Sequence, residues 1–228
     1  MSKSRLALKH LVRRPDGGGQ APPPLLLLLH GVGSNEDDLF TLAPYLDRRF
    51  LVVSARAPVA LDYGGYGWFR IDFTSRGMVA DAEQAKESLR LLPGFVDELV
   101  ETYGADAGRV YLMGFSQGAM MSLALTLTRP EKVAGVVAMS GRLPQQVLER
   151  EPDPEALNGK PVLITHGLYD PVLPVENGRA ARDYLARLPV VLAYREYPMQ
   201  HEVSAESLRD VAGWLTERLD SSRDSPGE

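Results

Sequence analysis

The run Arg109-Val110-Tyr111-Leu112-Met113-Gly114-Phe115-Ser116-Gln117-Gly118-Ala119-Met120-Met121 decides the fold. It opens with an apolar stretch of strand formers and closes with small and unbranched helix formers, and Gly-Phe-Ser-Gln-Gly joins the two. A serine between a strand and a helix, with glycines two residues to either side, has the geometry of a nucleophile elbow. Such a turn holds the serine in a strained backbone conformation, and a β-carbon at either flanking position would strike the neighbouring strand or helix. The Ser116 hydroxyl then projects from the top of the sheet, and the helix N-terminus behind it favours developing negative charge. A Gly-x-Ser-x-Gly arises by chance in roughly one chain in ten of this composition, so a base, an acid and hydrogen-bond donors have to be found elsewhere.

Outward from the elbow, short apolar runs alternate with helical periodicity. Leu25 to Leu29 is bounded by Pro22-Pro23-Pro24 and His30-Gly31, too short for a helix, and reads as a strand buried on both faces. Phe50 to Ser54, Val133 to Met139, Val162 to Thr165 and Val190 to Tyr197 read the same way, while Arg5 to Val12 alternates like an edge strand. Helices are expected over Glu36 to Tyr45 behind an Asn35 cap, Val79 to Tyr103, Gln117 to Leu127, Val175 to Leu188 and Ser204 to Leu219. Asp16 to Gly19 reads as a turn, and Arg142 to Lys160 as a polar loop. Ala57 to Gly77 follows neither period and is dense in aromatics; it reads either as a local hairpin or as an excursion facing the substrate. The alternation predicts an α/β fold: a mostly parallel sheet, helices on both faces, and the first strand antiparallel at an edge. One domain over residues 1–220 is expected, with residues 221–228 a frayed polar tail.

Composition narrows the chemistry. The 228 residues suffice for one good core, and 44% hydrophobic with 24% charged residues is the balance of a globular protein. A net charge of −5 argues against nucleic acid or an anionic membrane as the main partner. With no cysteine, disulfides, thiolate metal sites and a cysteine nucleophile are excluded, and a reducing cytoplasm fits. The five leucines fall far short of the ~20 residues that span a bilayer, so no membrane insertion is expected. No metal or cofactor is called for. Gly-Val-Gly-Ser-Asn-Glu at 31–36 lacks the third glycine of a dinucleotide fingerprint and the Gly-Lys-Ser/Thr of a phosphate loop.

In a parallel sheet the site lies beyond the carboxyl ends of the strands. His30-Gly31-Val32-Gly33, Ser116, His166-Gly167-Leu168-Tyr169-Asp170 and Met199-Gln200-His201 all fall there. Ser116, Asp170 and His201 follow the chain order of nucleophile, acid and base in α/β-hydrolases, and the base needs the acid to fix its tautomer. His30 and His166 read as loop braces, His10 lies away from the strand ends, and Asp153 is a weaker rival to Asp170. An oxyanion would need two fixed donors; the backbone N–H groups of Gln117 and Val32 are the candidates. Trp68, Phe69, Met78 and Leu173 are the apolar loop residues expected to border Ser116 and form an acyl pocket.

Leu-His-Gly-Val-Gly-Ser-Asn-Glu-Asp-Asp-Leu, Gly-Phe-Ser-Gln-Gly-Ala-Met, His-Gly-Leu-Tyr-Asp-Pro-Val-Leu-Pro and Met-Gln-His-Glu together resemble the phospholipase/carboxylesterase family. These small α/β-hydrolases include acyl-protein thioesterases and bacterial carboxylesterases. The resemblance runs from about Leu25 to Leu219 and implies the same triad, the same two donors and little or no cap. The Tyr-Gly-Trp-Phe segment at 66–69 looks more like the bacterial esterases. The family resemblance implies metal-independent hydrolysis of short- to medium-chain carboxylic esters, small-molecule substrates and, in some members, a homodimer. An acyl-protein thioesterase or lysophospholipase for longer chains is the alternative, and a non-catalytic hydrolase-fold binding protein a distant one.

Overall fold

The computed structural model describes residues 6–16, 21–74, 77–143 and 151–221; side chains of 72–78 lie outside that description. Most of the glycine-rich turn at 16–19, of the tail at 221–228 and part of the loop at 142–160 therefore lie outside the described residues. In chain order, β1 (His10–Arg13) and β2 (Pro24–Leu29) lead to α1 (Glu36–Phe40), a 3-10 turn at Ala43–Tyr45 and β3 (Leu51–Ala55). Two small antiparallel ladders follow, β4 (Val59–Ala60) with β5 (Tyr66–Gly67) and β6 (Ile71–Thr74) with β7 (Gly77–Ala80). Then come α2 (Ala82–Tyr103), β8 (Asp106–Phe115), α3 (Gln117–Thr128), β9 (Gly135–Met139), β10 (Pro161–Gly167), α4 (Glu176–Leu185), β11 (Val191–Tyr197) and α5 (Ala205–Ser221).

Seven strands form the main sheet in the order β1-β3-β2-β8-β9-β10-β11. Only β1 is antiparallel to its neighbour; β2, β3 and β8 to β11 run parallel. The leucine run shows why the strands are apolar on both faces. Leu25, Leu27 and Leu29 pack into one core with α2, α3 and α4, while Leu26 and Leu28 pack into a second with α1 and α5. All five are fully buried, each contributing roughly 1.5–3 kcal/mol of transfer free energy. Because β2, β3 and β8 to β11 pair in parallel, their carboxyl ends lie toward the same edge.

Three elements differ from the expectation. Strand pairing begins only at His10, because Leu6 and Leu8 serve the core by packing rather than by laddering. Helix α1 closes after five residues, and Pro44 follows in a 3-10 turn that the helical period does not distinguish from a longer helix. Val79 belongs to β7; α2 starts behind Asp81, whose carboxylate accepts the Gln84 N–H at 3.0 Å. The aperiodic 57–77 stretch is not one hairpin but two short ladders. Among the described residues, no helix is long and apolar enough to cross a membrane.

Candidate active site

Ser116 sits at φ 54°, ψ −114°, between β8 and α3, a backbone conformation that non-glycine residues rarely adopt. The flanking glycines permit it. A β-carbon on Gly114 would lie 2.3 Å from the Gly118 carbonyl oxygen, and one on Gly118 would lie 1.8 Å from that of Leu29. Both obstacles are backbone, so neither can turn aside. The Ser116 N–H is held by the Met139 carbonyl at 2.9 Å. Helix α3 behind it is buried from Gln117 to Leu127, and its hydroxyls are satisfied internally: Ser122 donates to the Gly118 carbonyl and Thr126 to that of Ser122.

The ends of β10 and β11 lead to Asp170 and His201. Leu168 N–H donates to the Tyr197 carbonyl at 2.8 Å and Tyr169 N–H to that of Met199 at 3.1 Å, lacing the two loops together. The Asp170 side chain is wholly buried, and one carboxylate oxygen accepts the N–H groups of Val172 and Leu173 at 2.9 and 2.8 Å. Its other oxygen accepts from His201 Nδ1 at 2.6 Å, and His201 Nε2 is 2.9 Å from Ser116 Oγ. Because the carboxylate can only accept, Nδ1 carries the proton and Nε2 is free to receive the hydroxyl's. The His201 ring packs against Phe115, with centroids 4.9 Å apart.

The other two strand-end histidines hold loops. His30 Nδ1 donates to the Gly31 carbonyl at 2.7 Å and Nε2 accepts the Ala57 N–H at 3.0 Å. Burial lowers its pKa below the ordinary 6.5, against the opposing hydrogen bond to Gly31, so it stays neutral. His166 Nε2 donates to the Leu173 carbonyl at 2.7 Å and lies 3.6 Å from Asp170, closing the turn that presents the carboxylate. His10 bonds to Leu8 and Tyr103 instead, and Asp153 accepts the Glu155 N–H.

The loop after β2 reaches Ser116. A β-carbon on Gly31 would lie 3.4 Å from Ser116 Cβ, and one on Gly67 would lie 3.3 Å from Val32 Cγ2 and 3.2 Å from Gln117 Oε1. The side chains of Val32 and Gln117 thus both lie against Gly67. Gln117 opens α3, where an N–H has no intrahelical acceptor. Of the four apolar residues, Trp68 has no exposed surface, and its indole N–H donates to the His30 carbonyl at 2.9 Å. Phe69 and Leu173 are 5% and 8% exposed. Met78 pairs with Phe73 in the ladder of β6 and β7, and its side chain is outside the described residues.

Two features escape the sequence reading. The Gln117 carboxamide accepts the Trp68 N–H and donates to the Phe69 carbonyl, both at 2.7 Å; a lone glutamine in an apolar helix is the one hint. Glu36, its side chain 3% exposed, receives Arg56 at 2.5 and 2.6 Å, and Arg56 also donates to the Tyr66 hydroxyl at 2.9 Å. Burial raises the Glu36 pKa, but hydrogen bonds from Arg56, its own N–H and Lys9 outweigh that and hold it at about 2. No three His, Asp or Glu among the described residues are grouped to hold a metal ion. A cleft of about 600 Å³ lies elsewhere, bordered by Arg90, Pro93, Leu127 and Asp153. Leu127 stands about 17 Å along α3 from Ser116 at 1.5 Å per residue, so that cleft is separate from the hydroxyl.

The sheet order, the strained serine after β8 and the Asp170–His201–Ser116 contacts beyond the strand ends define an α/β-hydrolase fold. More narrowly, the chain belongs to the phospholipase/carboxylesterase family, whose model matches residues 17–218. A probable carboxylesterase, SOBER1-like, from Arabidopsis thaliana is 29% identical over 209 residues, 86% of this chain and 79% of that protein. Acyl-protein thioesterase 1 from Kluyveromyces lactis is 31% identical over 206 residues, covering 83% of this chain and 90% of the other. Among solved structures, esterase PE8 has a TM-score of 0.79 at 27% identity, over 92% of this chain and 98% of that one. A Bacillus cereus carboxylesterase shares the fold, with a TM-score of 0.78 at 24% identity over 93% and 95% of the two chains.

Proposed function

We propose that the protein is a serine carboxylesterase that hydrolyses short- to medium-chain carboxylic esters through an acyl-enzyme on Ser116. The observation that carries this reading is the unbroken relay from Asp170 through His201 to the Ser116 hydroxyl, at 2.6 and 2.9 Å. Ser116 Oγ attacks the acyl carbon while His201 Nε2 takes its proton; Asp170 orients the ring and stabilises its cation. The carbonyl oxygen becomes an oxyanion, received by the backbone N–H groups of Val32 and Gln117. Collapse breaks the C–O bond to the alcohol, which leaves with the proton from His201. Water then attacks the acyl-enzyme, gives its proton to His201, and the acid departs as that proton returns to Ser116.

The pocket side supports the shorter chains. Trp68 is fully buried and Phe69 nearly so, so neither ring opens into a long groove. The identity to an acyl-protein thioesterase favours, as the second reading, a thioesterase or lysophospholipase for longer acyl groups. A series of p-nitrophenyl esters from acetate to palmitate separates the two: the first expects a peak at short acyl groups, the second at long ones. Ser116→Ala is expected to abolish turnover of p-nitrophenyl butyrate and labelling by a fluorophosphonate, with circular dichroism unchanged. Undiminished turnover by that variant refutes the acyl-enzyme.

A further inference from the structure

Resting on the acyl-enzyme reading above, we propose that the Gln117 carboxamide is a positioning residue: through a strap at Tyr66–Phe69 it sets the spacing between the two oxyanion donors. The strap is tied at both ends. At one, Gly33 N–H donates to the Tyr66 carbonyl at 2.9 Å, and Tyr66 N–H donates to that of Ser34 at 2.8 Å. At the other, the Gln117 side chain takes the place of a neighbouring strand, accepting from Trp68 and donating to Phe69. Between them Gly67 passes against Val32 Cγ2 and Gln117 Oε1 so closely that a β-carbon there would press on both.

The two donor residues are 85 positions apart in sequence, one on the loop after β2 and the other opening α3 after the neighbouring β8. The sheet fixes the strands; the strap ties the segments beyond them. It is itself pinned, because Trp68 donates its indole N–H to His30 and accepts from Ser88 Oγ at 2.5 Å. The residue whose N–H would meet the oxyanion is therefore the one whose side chain grips the strap. Rotation of the peptide at 116–117 would break two hydrogen bonds buried with Gln117, which is 1% exposed. Oxyanion stabilisation falls steeply with donor position, and a misplacement of about 1 Å costs on the order of a hundredfold in rate.

Gln117→Met keeps the backbone N–H and nearly the same volume but bonds to neither Trp68 nor Phe69. For p-nitrophenyl butyrate, kcat is expected to fall about 30- to 100-fold with KM within about threefold. Affinity for the matching trifluoromethyl ketone, which forms an oxyanion on Ser116, should fall in step with kcat/KM. Trp68 fluorescence, read in a Trp214→Phe background, should shift as the strap loosens. A folded Gln117→Met with wild-type kcat, or with a raised KM alone and unchanged ketone affinity, overturns the proposal, because a merely structural glutamine would behave so. Should that variant not fold, Gly67→Ala reads the same coupling: about a tenfold loss of kcat is expected, and wild-type kcat overturns it. Ser116→Ala keeps the two questions apart. If it stays active the acyl-enzyme fails; if it is inert while Gln117→Met is fully active, only the strap's role fails.

Discussion

Residues 114–118 meet the rest of the molecule backbone to backbone, whereas residues 66–69 add side-chain ties to their backbone ones. At the elbow, Gly114 and Gly118 let β8, α3 and β2 approach until no β-carbon fits. In the excursion, backbone bonds of Tyr66 to Gly33 and Ser34 are joined by side-chain ties: Gln117 to Trp68 and Phe69, Trp68 to His30, Ser88 to Trp68, and Arg56 to Tyr66. The first construction is rigid and intolerant, fixed by the sheet. The second consists of a handful of separable hydrogen bonds, each of which can be tuned without dismantling the core. Rate and stability should therefore respond differently to changes in the two regions.

The largest contrast belongs to the relay mounted on the strand ends. Asp170→Asn retains an oxygen for the Val172 and Leu173 N–H groups but turns an amide donor toward His201. That forces the proton onto Nε2, facing Ser116, and kcat at neutral pH is expected to fall about 10⁴-fold with an unchanged thermal midpoint. Ester hydrolysis and a melting curve check both halves. Next comes Gly118→Ala, whose methyl would meet the Leu29 and His30 carbonyls. A loss of more than about 4 kcal/mol is expected, by denaturant titration, since no side-chain rotation relieves a backbone clash. A milder loss would mean that β2 and α3 are less tightly joined than the elbow requires.

The excursion yields a smaller and pH-dependent effect. Glu36 has a folded pKa of about 2, below its ordinary 4.5, so its contribution is fully present above pH 4.5 and is lost as pH falls toward 2. The shift corresponds to about 3 kcal/mol. His30 acts in the same direction higher up: its folded pKa lies below 6.5, so stability declines as pH drops under that value and the unfolded chain takes up the proton first. Glu36→Gln should cost on the order of 3 kcal/mol at pH 7 and progressively less toward pH 2. Urea titrations across that range, wild type against variant, test it; a difference that stays constant with pH would remove Glu36 from the strap's anchoring.

The two regions also differ in how openly they are written in the chain. The elbow is a local pattern, and its partners fall at strand ends that an apolar run marks, which is why Ser116, Asp170 and His201 could be named and their contacts then found. The two-faced burial of Leu25 to Leu29 was legible for the same reason: a short apolar run between breakers has few alternatives. Trp68 shows the limit. Its aromatic character pointed toward a pocket, yet the indole is spent on His30 and the core, a choice made by residues 38 positions away. Nothing near Val79 separates the end of a ladder from the start of a helix except the cap at Asp81. The Gln117 carboxamide acts across 48 and 49 residues, beyond the reach of any window of periodicity.

Helix α3 has no solvent face along Gln117–Leu127, and this governs how long the strained serine lasts. A turn at the surface can relax by local fraying. This one can leave its conformation only if α3 lifts from β2, β8 and β9, an opening that costs as much as losing the core itself. The amide protons of Ser116 and Met120, bonded to Met139 and Ser116, therefore belong with the slowest-exchanging set in the molecule. Heat would remove the geometry of Ser116 and the fold in a single event, with no folded stage between them in which the elbow alone is lost.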